Sequence, residues 1–201
     1  MKDVLFVYFN DLSASGGMNG FDITKSKDLD FIWQYDLENV NFNEYKGIIL
    51  SGGVDQILLS KLSGRLCEFL ENGGRVLFNG HVEKKFLPML EIYEPVEHIK
   101  YPDFMISLIN PHKIYKDLDI RNFNEKNGVA GFYSRGQNPP PLKAKIITAI
   151  KQASVPSDWE LDFGKGKIYT HAGVDLHIAA SANDTPKLIE NLIAYLRGDD
   201  E

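Results

Sequence analysis

Cysteine is almost missing. Among 201 residues only Cys67 carries a thiol, so no internal disulfide can form. Long apolar runs are missing too. The opening segment, Val4 to Phe9, is far shorter than the ~20 residues that span a bilayer, and Lys2-Asp3 before it is no cationic leader. The expectations are therefore a cytoplasmic location and no membrane partner. Positive charge is in deficit: 22 Lys and Arg stand against 28 Asp and Glu, a net charge of −6. That balance argues against a general nucleic-acid binder, which carries a basic stripe. Lys143, Lys145 and Lys151 read as a solvated face. The glycines between Ser13 and Gly20 match neither G-x-G-x-x-G nor the P-loop pattern, and no cofactor is expected.

What is present is an ordinary globular balance, 43% hydrophobic and 25% charged. The most informative stretch runs from Gly47 to His81. Gly47-Ile48-Ile49-Leu50 is a short buried-strand run, closed by Ser51-Gly52-Gly53. From Asp55 the period changes: Leu58, Leu62, Leu66 and Leu70 recur every four residues and draw one apolar stripe on a helix to Glu71. Asn72-Gly73-Gly74 stops that helix. Arg75 to Phe78 is a second apolar strand, followed by Asn79-Gly80-His81. Strand, helix and strand in this order make a parallel βαβ unit. Ligands in such sheets sit beyond the carboxyl ends of the strands, so Ser51-Gly52-Gly53 and Asn79-Gly80-His81 should lie side by side on the functional edge.

Around this unit, Val4 to Phe9 and Phe31 to Tyr35 read as strands, and Glu83 to Leu90 as a short helix. Met105 to Ile109, Gly128 to Tyr133 and Ala144 to Ile150 are further strand candidates. Ser134 to Pro141 is a loop stiffened by proline. Leu161-Asp162-Phe163 and Lys167 to Thr170, joined through Gly164-Lys165-Gly166, form a late β-hairpin; a phosphate loop is the weaker reading of those residues. Thr185-Pro186 opens a last helix, with Leu188, Leu192, Tyr195 and Leu196 on its buried face and Gly198 as its stop.

The order DVLFVYFN, YKGIILSGG, a helix ending in ENGGRVLFNGH, a late FGKGKIYTHAG and a final NLIAYLRG resembles the class I glutamine amidotransferase-like superfamily. Within it, the trehalose-utilisation (ThuA-like) branch is nearest. The resemblance implies an α/β fold: a three-layer sandwich around a mostly parallel, doubly wound, flavodoxin-like sheet with the late β-hairpin. It covers most of the chain and implies one domain over residues 1–201, with an insertion at about 91–145. Active members of the superfamily carry a cysteine on the sharp turn after the strand matched by Arg75 to Phe78, and a His-x-Glu pair after the late strand. This chain departs at both places. Phe78-Asn79-Gly80-His81 holds no cysteine, and Gly173 stands where the glutamate would follow His171. Cys67 falls within the helix, as a buried structural cysteine does. A thiolate nucleophile and its oriented histidine are therefore missing as a set, and glutaminase activity is not expected.

The residues that remain suggest a small-molecule site. A ligand pocket is expected from Asn10, Ser51, Gly52, Gly53, Asn79, Gly80, His81, Arg135 and His171. Arg135 enters as a clamp for a carboxylate or phosphate, and the Ser51-Gly52-Gly53 turn as a backbone N–H site for an anion or carbonyl. His81, His171 and Asp175, with Asp11 nearby on the edge, are the candidates for acid–base work. His171, Asp175 and His177 have ligand types that suit a divalent metal, but their spacing is no metal signature. Three functions stay open at this level. They are a non-catalytic ligand-binding domain (for a carbohydrate or its derivative), a His/Asp-dependent or metal-assisted hydrolase, and a structural subunit or interaction module docking through residues 91–145. Homo-oligomerisation is left open.

Overall fold

A computed structural model describes residues 2–10, 23–126, 128–180 and 183–199. The glycine-rich stretch 13–20 and Asp11 lie outside the described residues. The centre is a sheet of eight strands: β1 (Val4–Tyr8), β2 (Leu29–Trp33), β3 (Gly47–Leu50), β4 (Arg75–Asn79), β5 (Ser107–Leu108), β6 (Lys145–Ile150), β7 (Val155–Phe163) and β8 (Gly166–His171). Their spatial order is β2-β1-β3-β4-β8-β7-β6-β5. From β2 to β8 neighbours are parallel; β7, β6 and β5 continue antiparallel. The five parallel strands follow the order of flavodoxin-like sheets.

Helices α1 (Gln56–Lys61), α2 (Ser63–Glu71), α3 (Leu176–Ala179) and α4 (Thr185–Arg197) cover the sheet. Because strand side chains alternate, Val4 and Phe6 of β1 enter one core cluster and Leu5 and Val7 the other. The first cluster packs under α4 through Leu188, Leu192 and Leu196. The second packs under α1 and α2 through Leu58, Leu66, Phe69 and Leu70. Three layers result, and a sheet covered on both faces explains the unbroken apolar runs of β1 and β3.

Several expected elements take a different form. The helix expected from Asp55 to Glu71 is two helices joined at Leu62, whose ψ of 5° departs from helical geometry. Asp55 caps the first by accepting from the amides of Ile57 and Leu58. The helix expected over Glu83 to Leu90 does not form. Pro88 interrupts it, since proline has no amide hydrogen for the preceding turn. The side chain of Gln56 accepts from the amides of Glu83 and Lys84, both at 2.9 Å, and pins the start of the loop that forms instead. Phe86, Leu87 and Leu90 enter the core from irregular backbone instead. Gly128 to Tyr133 yields only Val129–Ala130, paired with Glu125–Lys126 outside the main sheet. Directly after Ala130, Gly131 at φ 82° ends the extended run. Met105 to Ile109 shrinks to β5, the edge strand. The late hairpin is present and longer than expected, nine residues paired with six around Gly164.

Candidate functional site

The parallel strands end on one rim, where the loops after β3, β4 and β8 meet. Asn79 is paired in register with His171, and the Gly80 amide continues that ladder by donating to the His171 carbonyl at 2.9 Å. There the chain turns sharply. Gly80 has φ 101°, and a Cβ on it would lie 2.7 Å from the Gly52 Cα. Only glycine fits both the backbone angle and the contact. The two turns therefore touch, as the strand-end argument expects. Between them and the β8–α3 loop opens a cavity of about 430 Å³. Gly52, Gly53, Gly80, His81, Gly173 and Asp175 line it, with Phe9, Val174 and Ile178 as apolar walls and Gln56 and Glu83 at the side.

His81 is half-buried, and its ring stacks on Tyr93 with centroids 3.6 Å apart and planes 12° from parallel. Its Nδ1 lies 3.9 Å from Glu83. Burial pushes the imidazole pKa down, Glu83 opposes, and nearby His171 pushes the same way as burial. Gln56 holds the loop in place: its Nε2 donates to the His81 carbonyl at 2.7 Å.

Asp175 closes the Ser51–Gly52 turn. Its carboxylate accepts from the Ser51 hydroxyl at 2.5 Å and the Gly52 amide at 2.7 Å. The chain's own carboxylate thus fills the backbone N–H position that an anion would take, and Gly53 is left as the exposed member of the turn. Asn79 is spent as well. Its Oδ1 accepts from the Leu176 amide and its Nδ2 donates to the Leu50 carbonyl, at 3.1 and 3.3 Å, so it ties β3 to α3.

His171 lies beneath the rim with no exposed surface. Its Nδ1 is 2.6 Å from Oδ1 of Asp158, on the neighbouring strand β7. The second oxygen of Asp158 accepts from the hydroxyls of Tyr115 at 2.5 Å, Tyr169 at 2.8 Å and Tyr133. Burial opposes the Asp158 charge, yet the imidazole and hydroxyl donors outweigh it and hold the carboxyl below its ordinary value. Burial next to that charge pushes all three tyrosines well above theirs. With Nδ1–H committed to Asp158, Nε2 is the free ring nitrogen, and it is buried without a hydrogen-bond partner. It sits behind Gly173, where an added Cβ would come 2.8 Å from Nε2 and 1.7 Å from the Tyr133 carbonyl oxygen.

The other expected residues lie apart. Asn10 is exposed at the end of β1 and does not line the cavity. Arg135 is exposed, its Nε donating to Gly131 O at 3.2 Å and its guanidinium over the Phe104 ring. His177 is buried with its ring edge-on to Phe6. His171, Asp175 and His177 do not converge, and no group of three metal-ligating side chains forms among the described residues. Cys67, half-buried on α2, packs against the core, and burial pushes its thiol pKa up.

Sequence reasoning missed Asp158, Gln56, Tyr115 and Tyr169; it raised Tyr133 as a pocket wall, and the structure turns that side chain to Asp158 instead. Asp158 carried one signal: it and Glu160 alternate within VPSDWELDF, so two acids point to one face of a strand whose Trp159 is buried on the other. Both find histidines, His171 for Asp158 and His112 for Glu160 at 3.2 Å.

This architecture is a flavodoxin-like α/β fold with a ligand-sized cavity at its strand ends. No family model matches the sequence, and no curated protein matches it. Solved structures do. Cytoplasmic protein STM1381 from Salmonella typhimurium LT2 is similar at TM-score 0.59 and 11% identity, over 98% of this chain and 99% of that one. Cytoplasmic protein STM3548 from Salmonella typhimurium is similar at TM-score 0.57 and 12% identity, over 96% and 98%. A polyextremophilic β-galactosidase from the Antarctic haloarchaeon Halorubrum lacusprofundi overlays at TM-score 0.53 and 15% identity; 98% of this chain covers only 30% of that enzyme. At these identities the likeness is one of fold. No helix among the described residues is long and apolar enough to cross a membrane.

Proposed function

We propose that this chain is an amidotransferase-like domain without glutaminase activity that binds a small polar ligand, of carbohydrate type, at the carboxyl ends of its parallel strands. One observation carries the reading: the cavity of about 430 Å³ where the β3, β4 and β8 loops converge. Its size suits a small molecule, and its walls combine apolar surface with a few convergent polar groups. Phe9, Val174 and Ile178 offer the flat apolar side, and His81 and Glu83 offer a donor–acceptor edge of the kind that sugar hydroxyls pair with. Glutaminase chemistry has no nucleophile in this reading. The sharp turn after β4 carries Gly80, and Cys67 is a raised-pKa thiol on a helix. Thermal-shift titration with mono- and disaccharides, nucleosides and amino acids tests it. A saturable rise in melting temperature that His81→Ala abolishes is expected; no rise with any of these classes would remove the support for the site.

A second reading, a hydrolase with His171 as general base, draws on the Asp158–His171 pair and the unpartnered Nε2. It requires Gly173 to move aside so that a water can reach that nitrogen. Ester, phosphoester and glycoside panels, run with His171→Asn as control, separate it from simple binding.

A further inference from the structure

The edge of the sheet opposite the strand-end cavity carries a second cavity of about 400 Å³, formed where β3 and β4 begin, α2 and α4 end and the β7–β8 hairpin turns. Four cationic side chains line it: Lys46, Arg75, Lys165 and Arg197. No carboxylate is among its lining residues, although the chain as a whole has a net charge of −6. Arg75 is buried at 5% exposure. Its Nη1 donates to the Tyr195 carbonyl at 2.8 Å, and its guanidinium lies 5.2 Å from the Tyr195 ring centroid, which fixes the direction of the fork. Lys46 and Arg197 share one half-buried acid, Asp3, at 3.7 and 3.5 Å, and Arg197 also meets Asp28 at 2.9 Å. Lys165 makes no ion pair among the described residues.

We propose that this cavity is a binding site for a small, multiply charged anion, most simply a phosphate monoester. Four cations stand here against two neighbouring acids, Asp3 and Asp28, so the space keeps a net positive charge that suits a doubly charged phosphate better than a singly charged carboxylate. A cavity walled by one sign of charge also raises the local concentration of the opposite ion. The volume leaves room for the group to which the phosphate is esterified. This site lies apart from the strand-end cavity and does not depend on the function proposed for it.

The test is a titration of the full chain with inorganic phosphate, followed by backbone amide shifts, with sodium chloride holding ionic strength constant. Saturable shifts are expected at Gly73, Lys165 and Gly198, with none at Gly53 or Gly80. Lys165→Gln, an exposed change that leaves the fold alone, should weaken binding by about fivefold, since one charge-assisted contact of about 1 kcal/mol is lost. Lys46→Gln should do the same, and His81→Ala should change nothing. Shifts that do not saturate, an unchanged affinity in Lys165→Gln, or equal shifts from acetate at the same concentration would each overturn the assignment.

Discussion

Replacing Asp158 by alanine should be among the most damaging single changes in this chain. In the native fold one fully buried carboxylate accepts from four groups: Nδ1 of His171 and the hydroxyls of Tyr115, Tyr133 and Tyr169. The four donors come from three places: strand β8, the turn at Lys113–Tyr115 and the loop around Tyr133. Alanine would take away the acceptor that all four share. At about 1–3 kcal/mol for each unsatisfied buried group, the ceiling is roughly 4–12 kcal/mol. Two effects lower it. The cost of burying the carboxylate is recovered, and the tyrosines can re-pair in part, since Tyr133 already meets Tyr115 at 2.6 Å and Thr148 at 3.0 Å. The net loss should be about 3–5 kcal/mol, as for breaking a buried pair from one side. Against a total stability of about 5–15 kcal/mol that is a large share. Urea unfolding followed by the fluorescence of Trp33 and buried Trp159 would read it. With a slope of about 2–3 kcal/mol per molar, the midpoint should fall by about 1.5 M. Asp162→Ala, which removes an exposed partner of Lys167, serves as the control and should barely move it. A loss below about 1 kcal/mol for Asp158→Ala would refute the view that this carboxylate anchors the 91–145 segment to the sheet.

Three further outcomes are expected. Glu160 is held at a pKa of about 2: burial opposes its charge, but hydrogen bonds from His112 and Tyr195 and the nearby Lys167 outweigh that. A carboxyl depressed in the fold gives stability above its unfolded pKa of about 4.5, and that stability is lost as pH falls through the folded value. Acid unfolding should therefore cost about 3 kcal/mol between pH 4.5 and 2 from this residue, and Glu160→Gln should flatten that part of the curve. Gln56→Ala removes three hydrogen bonds that pin the loop from His81 to Lys84; it should cost about 1–2 kcal/mol and speed hydrogen exchange at Glu83 and Lys84 before it affects the core. Gly80→Ala meets both a positive φ and the Gly52 backbone; it should destabilise by at least about 2 kcal/mol by calorimetry.

The sequence made the parallel half of the fold readable because each part of it is a local pattern. Leu58, Leu62, Leu66 and Leu70 announce a helix, Gly47 to Leu50 and Arg75 to Phe78 announce buried strands, and glycines mark the turns between. That periodicity is enough to bring the turns after β3 and β4 together. Nothing local announces who pairs with a polar side chain across the sheet. His171 and Asp158 are thirteen residues apart, and they meet because β7 and β8 pair in a register that sets Asp158 opposite His171. Asp175 reaches Ser51 across 124 positions, so a turn that reads as an open anion site is closed by a carboxylate far along the chain. The helix expected after His81 failed at Pro88, which has no amide hydrogen to give the preceding turn and whose ring crowds the carbonyl there. Gly128 to Tyr133 has strand composition, yet its left-handed Gly131 and the pull of Tyr133 toward Asp158 keep it out of the main sheet.

The most direct measurement of the strand-end site is an amide-shift titration of the wild-type chain and His81→Ala with the saccharide that gives the largest thermal shift. Saturable changes confined to Gly53, Gly80, His81 and Gly173, lost in the variant, are expected if the cavity between these turns holds the ligand. Shifts that fall elsewhere, or that persist unchanged without the imidazole, would contradict it.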